Sequence, residues 1–307
     1  MRAALATLLT IAAIASPYFF IVQSFYIHES LAGAVYLFFA ATSFWLAEQE
    51  RERAWLPFAF LYLLAFSLHR VDGPIVAMIL LVIVCGASRM PARPINWGVL
   101  IFSVVSLVWL GAQAMLQPPD GAWLLRPAGP NLDSARLGVL MLVYVVSTGC
   151  LLSLRHPRMV RLRDWIPLLV IALLICALGA ASIWRPSFAD ATIVGVIGIA
   201  AYPSWGGIWY IFLVLGALSL LLPKERHDRI LSYGTLATLL FILLLSVMHD
   251  REFSSRWGDS INRMMTYLIP IFSFYPLMIY VRAPLFWDRE KQLDPPSQQL
   301  DPVRETA

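Results

Sequence analysis

Apolar runs of near-spanning length follow one another along almost the whole chain, broken by short polar connections. They cover 3–24, 31–47, 97–116, 137–154, 165–184, 207–222, 231–248 and 264–283. A helix needs about 20 apolar residues to cross a bilayer, so each run is expected to be a membrane helix. Segment 55–88 breaks the pattern. It holds two runs, Trp55–Leu68 and Pro74–Ala87, split by His69-Arg70-Val71-Asp72-Gly73. Each gives roughly 21 Å of helix at 1.5 Å per residue, short of a hydrocarbon core of about 30 Å. The pair is expected to form a hairpin of short helices, its polar tip sunk partly into the bundle. Residues 191–202 are apolar enough for a half-helix. The predicted fold class is all-α: a polytopic integral membrane bundle of about ten membrane segments. The membrane domain covers 1–285, and 286–307, with Pro295, Pro296 and Pro302, is expected to be a disordered cytoplasmic tail.

Composition agrees with that reading. The chain is 59% hydrophobic and only 14% charged, where a soluble domain carries about 25% charged residues. Mean hydropathy is +0.71. Too few charges exist to cover a water-exposed surface. The N-terminus has Arg2 followed by an uncharged run to Ile27. That run exceeds the apolar core of a signal peptide, so a first membrane helix is expected. The net charge of +4 is not gathered into a Lys/Arg patch with interleaved aromatics, and no nucleic-acid partner is expected. Cys85, Cys150 and Cys176 lie in or at the end of apolar runs, with no CxxC or Cys/His cluster. They read as small core residues, and neither a metal nor a cofactor is expected.

Basic residues set an orientation. With Arg2 in the cytoplasm and the hairpin entering and leaving on that side, the cytoplasmic segments hold Arg51, Arg53, Arg89, Arg93, Arg155, Arg158, Arg161, Arg163, Lys224, Arg226, Arg229, Arg282, Arg289, Lys291 and Arg304. The outside keeps Arg70, Arg126, Arg136, Arg185, Arg251, Arg256 and Arg263. Every short inside loop then obeys the positive-inside rule. Both termini are expected in the cytoplasm of a bacterial inner-membrane protein.

Chemistry is expected on the outside. Charges near the bilayer are costly, so His69, Arg70 and Asp72 between two short helices suggest a water-filled or anion-binding cavity. Asp-Gly-Pro is also turn chemistry, and Arg70 can snorkel; both readings stay open. Glu29 ends the polar pair His28-Glu29 on the same side, as a general base, a partner of Arg70 or His69, or a helix cap. In 249–263, Glu252, Arg256, Asp259 and Arg263 recur at spacings that place them on one helix face. They form either a solvated salt-bridge ladder or carboxylates that hold guanidinium forks ready for a phosphate. The aromatics of 185–209 suit an interfacial belt. No P-loop, GxGxxG, GxSxG or HExxH occurs.

The stretch "LAFSLHRVDGPI" after a basic loop and a short apolar helix, with the later "WGDSINRMMTYLIP", resembles the membrane region of GT-C type glycosyltransferases. These are bacterial relatives of the protein O-mannosyltransferases and of the lipid A aminoarabinose transferase. The resemblance touches residues 10–90 and 250–285. It implies inverting transfer of a sugar from a polyprenyl-phosphate donor to a glycan, lipid or protein acceptor on the outer face of the membrane. By this resemblance Arg263 and Arg70 would hold the donor phosphate, and Arg256 and His69, expected on the same outer side, join them as candidates. The family carries its catalytic acid in a first external loop that precedes the helix matched here. The chain is therefore expected to be truncated, to lack that acid, or to use Glu29 or Asp72 instead, and activity is left open. A polysaccharide ligase or polymerase, or a catalytically inactive partner subunit, are the alternatives. An ion-coupled carrier is disfavoured, because the full spans carry their charges only at their ends.

Overall fold

The computed structural model describes residues 29–69, 73–116, 134–154, 159–201, 227–248 and 267–271, with single positions at 210, 274, 275 and 278. Of these described residues 92% are helical and none lies in a strand. The helices are α1 (Glu29–Glu50), α2 (Trp55–His69), α3 (Gly73–Ala87), α4 (Ala92–Leu116), α5 (Ser134–Leu154), α6 (Val160–Arg163), α7 (Ile166–Trp184), α8 (Pro186–Ala201) and α9 (Asp228–Met248). The described residues adopt the all-α class expected from the apolar runs.

Three helical stretches, Ala92–Ala112, Ile166–Trp184 and Asp228–Met248, are long and apolar enough to cross a membrane. Trp55–His69, Gly73–Ala87, Met141–Leu154 and Pro186–Gly198 are apolar but shorter. The described helices thus give fewer full-length spans than the ten segments expected. Run 3–24, all of 207–222 but position 210, most of 264–283 and the tail 286–307 lie outside the described residues.

The second arm of the hairpin, α3, is the centre of the bundle. Nearly every residue of α3 is buried, from Gly73 and Pro74 to Gly86 and Ala87. It packs against α2, α9, α7 and α5. A helix that is apolar all round has no face to give to water and settles among other helices. Its short length suits that place, because α3 is covered by protein rather than by lipid. The outer helices show the opposite pattern. Trp97, Ile101, Val104 and Val108 recur at turn spacing on α4 and are exposed, as are Leu169, Leu173 and Ile183 on α7. An apolar face of this extent on the outside of a bundle suits a lipid environment. Exposed Trp165 and Trp184 bracket α7. They stand about 28 Å apart along the helix axis, close to the hydrocarbon thickness of about 30 Å, where indole rings gather at both interfaces.

Interhelical contacts sort the helix ends into two groups. At one end, Glu48 of α1 accepts hydrogen bonds from Ser88 Oγ and the Arg89 backbone N–H, each 2.7 Å long. Gly86 of α3 abuts Pro167 of α7, and Trp45 of α1 reaches Asp228 of α9. At the other end, Tyr36 meets His69, Tyr267 meets Gly33 and Phe66, and Arg185 donates to the Met248 carbonyl at 2.7 Å. Arg51, Arg53, Arg89, Arg93, Arg163 and Arg229 all belong to the first group of ends.

Candidate functional site

Helix α1 starts at Glu29, α2 ends at His69 and α3 starts at Gly73, so the expected tip residues mark helix ends on one side of the bundle. The His69 ring stands edge-on to Tyr36 of α1, with centroids 6.1 Å apart. Tyr36 follows Glu29 by two turns. Helix α2 therefore ends level with Tyr36, and α1 extends two turns, about 10 Å, beyond that level to Glu29.

Tyr267 ties the C-terminal region to the same place. Its ring is fully buried and packs edge-on to Phe66 at 5.5 Å. It also lies so close to Gly33 that a Cβ there would approach Cε1 to 2.9 Å. Phe66 is three residues before His69, and Gly33 is four residues after Glu29. The contact works because Gly33 has no side chain and because α1 and α2 are paired along their length. Gly73 allows the equally close return of α3: a Cβ would stand 2.6 Å from the Phe66 carbonyl oxygen.

Of the residues singled out from the sequence, the structure brings His69 and the backbone of Glu29 to one end of the bundle. The Glu29 side chain, Arg70, Asp72, Arg256 and Arg263 lie outside the described residues. The N-termini of α1 and α3 bring positive dipole ends toward this region, and the C-terminus of α2 brings a negative one.

Sequence reasoning missed the best-formed polar cluster among the described residues, which sits at the opposite end. Asp228 is 6% exposed. Its Oδ1 accepts a hydrogen bond from Trp45 Nε1 at 3.1 Å and lies 3.5 Å from His227 Nε2. The His227 and Trp45 rings meet edge-on at 5.8 Å. Helix α9 begins at Asp228, and a carboxylate in the first turn of a helix is favoured by the dipole. The available signal was the pair His227-Asp228 just ahead of an apolar run, which reads as a helix start. Nothing in the sequence pointed to Trp45, 183 positions away. A second missed feature is a series of buried hydroxyls across α2, α4 and α5. Ser67 meets Ser106 at 2.9 Å, and Thr148 donates to Ser103 at 2.9 Å. Such pairs let apolar helices recognise one another inside a membrane.

Compared with protein-family models, curated proteins and solved structures, the chain matches none.

Proposed function

We propose that this membrane protein handles a polyprenyl-phosphate-linked sugar at the end of the bundle opposite its arginine-rich ends, as a glycosyltransferase-like component of envelope glycan or glycolipid assembly. The observation that supports the reading is the seat of Tyr267 against Gly33 and Phe66. It joins the C-terminal region to the ends of α1 and α2, where Glu29 and His69 are found. Arg263 precedes Tyr267 by four residues, a length of chain that spans at most about 14 Å. Arg70 and Asp72 follow His69 directly in sequence.

In this reading the arginine-rich ends face the cytoplasm of a bacterial cell, with both chain termini on that side. The phosphate is held by Arg263, Arg256, Arg70 and His69, since guanidinium forks match phosphate oxygens in pairs. Glu29 or Asp72 takes the proton from the acceptor hydroxyl. The apolar outer surface gives the polyprenyl tail a route within the bilayer.

The test is Arg263→Ala in the full chain, read by binding and transfer of a lipid-linked sugar in nanodiscs. Loss of a charge-assisted phosphate contact is expected to weaken binding by about tenfold or more. Binding equal to the wild type would remove Arg263 from the site.

A further inference from the structure

A second lipid-facing surface lies at the opposite end, where α2 and α4 begin. These helices run parallel. Phe60 meets Gly98 so closely that a Cβ would overlap its ring, and further along Ser67 meets Ser106. The two contacts keep the same sequence offset to within one residue, so Trp55 stands level with Arg93. Arg53 sits in the turn that starts α2, where its carbonyl accepts the Leu56 N–H at 3.1 Å. Arg93 lies in the first turn of α4. The two guanidinium groups are therefore carried to the same level by neighbouring helices.

Both side chains are exposed. Among the described residues neither guanidinium has an ion pair or a hydrogen bond. The nearby carboxylates are largely occupied: Glu48 accepts from Ser88 and Arg89, and Glu50 accepts from Trp55 Nε1 at 2.8 Å. Glu48, Glu50 and Glu52 keep their negative charges and offset three of the four carried by Arg51, Arg53, Arg89 and Arg93, so this end stays net cationic by one charge. Trp97 follows Arg93 by one turn on α4, with Ile101 beyond it, and Phe58 and Leu61 line α2; all four are exposed. The surface thus has a cationic head, an interfacial indole and an apolar body, in the order that a bilayer leaflet presents phosphate, glycerol and acyl chain.

We propose that Arg53 and Arg93, with Trp97 and the apolar strip beneath it, form a binding site for an anionic phospholipid at the arginine-rich end of the α2–α4 seam. Charge complementarity selects the occupant. Two unpaired cations beside a membrane surface attract anionic headgroups, whereas a zwitterionic headgroup brings a compensating cation. Free phosphate would leave the apolar strip without a partner. A second copy of the chain would have to bring carboxylates to the same level. The site is distinct from the sugar-handling end and does not depend on that reading.

The experiment is native mass spectrometry of the full chain in neutral detergent, titrated with phosphatidylglycerol or phosphatidylcholine. The wild type is expected to retain phosphatidylglycerol at lower concentration than phosphatidylcholine. Arg53→Ala with Arg93→Ala is expected to weaken phosphatidylglycerol about 30-fold and to leave phosphatidylcholine unchanged. The double lysine variant, which keeps the charge, is expected to stay within about fivefold of the wild type. Arg229→Ala, from the same end of the bundle but on α9, is expected to change nothing. The proposal is overturned by equal retention of the two lipids, or by a double alanine variant that binds like the wild type. An equal loss in Arg229→Ala would overturn it too, since it would mean diffuse attraction without a site. Displacement of the lipid by inorganic phosphate alone, or a lipid-free dimer lost in the double alanine variant, would assign the surface to phosphate or to a second copy.

Discussion

Gly33 of α1 lies against the ring of Tyr267, where a Cβ would stand 2.9 Å from Cε1 and 3.4 Å from the hydroxyl oxygen. Tyr267 is fully buried and held by Phe66, so its ring cannot swing aside. Glycine in a helix interior costs about 1 kcal/mol against alanine, and here the missing side chain is what permits the contact. Gly33→Val is predicted to destabilise the protein by about 1–3 kcal/mol through overpacking. In a Tyr267→Ala background the same change should cost little. Thermal melts of the four proteins in detergent form a double-mutant cycle. Strictly additive effects would rule out the direct contact.

Gly73 meets backbone rather than a side chain. A Cβ there would come within 2.6 Å of the Phe66 carbonyl oxygen and 2.9 Å of the Ser67 carbonyl oxygen. A backbone carbonyl, unlike the far end of a flexible side chain, cannot move aside unless the last turn of α2 shifts with it. Gly73→Ala is therefore predicted to cost about 2 kcal/mol or more and to loosen the hairpin tip. Gly149→Ala is the control, because nothing lies within 4 Å of its Cβ position; it should be neutral or slightly stabilising. Equal melting temperatures for the two variants would refute the close return of α3 onto α2.

The clasp of Trp45 on Asp228 joins α1 to α9 through one buried carboxylate. Removing the donor leaves a buried acceptor short of a partner, so Trp45→Phe is predicted to cost about 1–3 kcal/mol. Asp228→Asn keeps an acceptor oxygen for the indole and should cost less than Asp228→Ala. The order of the three melting temperatures is the readout. An alanine variant as stable as the asparagine variant would show that the Trp45 hydrogen bond carries no stability.

The sequence made the helices legible because their signal is local. Apolar runs at 97–116, 165–184 and 231–248 became α4, α7 and α9, with α4 and α9 starting a few residues earlier and α7 one residue later, and the polar break at 69–73 marked the hairpin. The position of the hairpin in the bundle was only partly legible. The run Gly73–Ala87 is apolar on all sides, which says that α3 is covered but not by which helices. For the candidate site, one-sidedness was readable from alternation of the spans, which is why Glu29 and His69 come out at the same end. The partners Tyr36, Phe66 and Tyr267 were not readable, since aromatic side chains in apolar runs carry no mark of whom they touch. The Asp228 cluster was missed for the same reason: half of it is Trp45, an ordinary apolar-run residue until a distant carboxylate meets it.

The two-ended sorting of arginines makes a topology prediction. Arg53, Arg89 and Arg229 are exposed and lie among the helix ends joined by Glu48, Ser88 and Asp228. Arg185 lies at the other group of ends, bonded to the Met248 carbonyl and stacked 3.9 Å over Phe188. By the positive-inside rule the first group is predicted to face the cytoplasm. Single cysteines at 53, 89 and 229, in a chain whose native Cys85, Cys150 and Cys176 are replaced, should react with a membrane-impermeant maleimide only after the cells are opened. The fold ties these three positions together, so they must report the same side. A cysteine at 185 should label in intact cells. Labelling of 53 and 229 from opposite sides would break the alternation of α1 through α9, whereas labelling of all three in intact cells would keep the alternation and invert the protein in the bilayer.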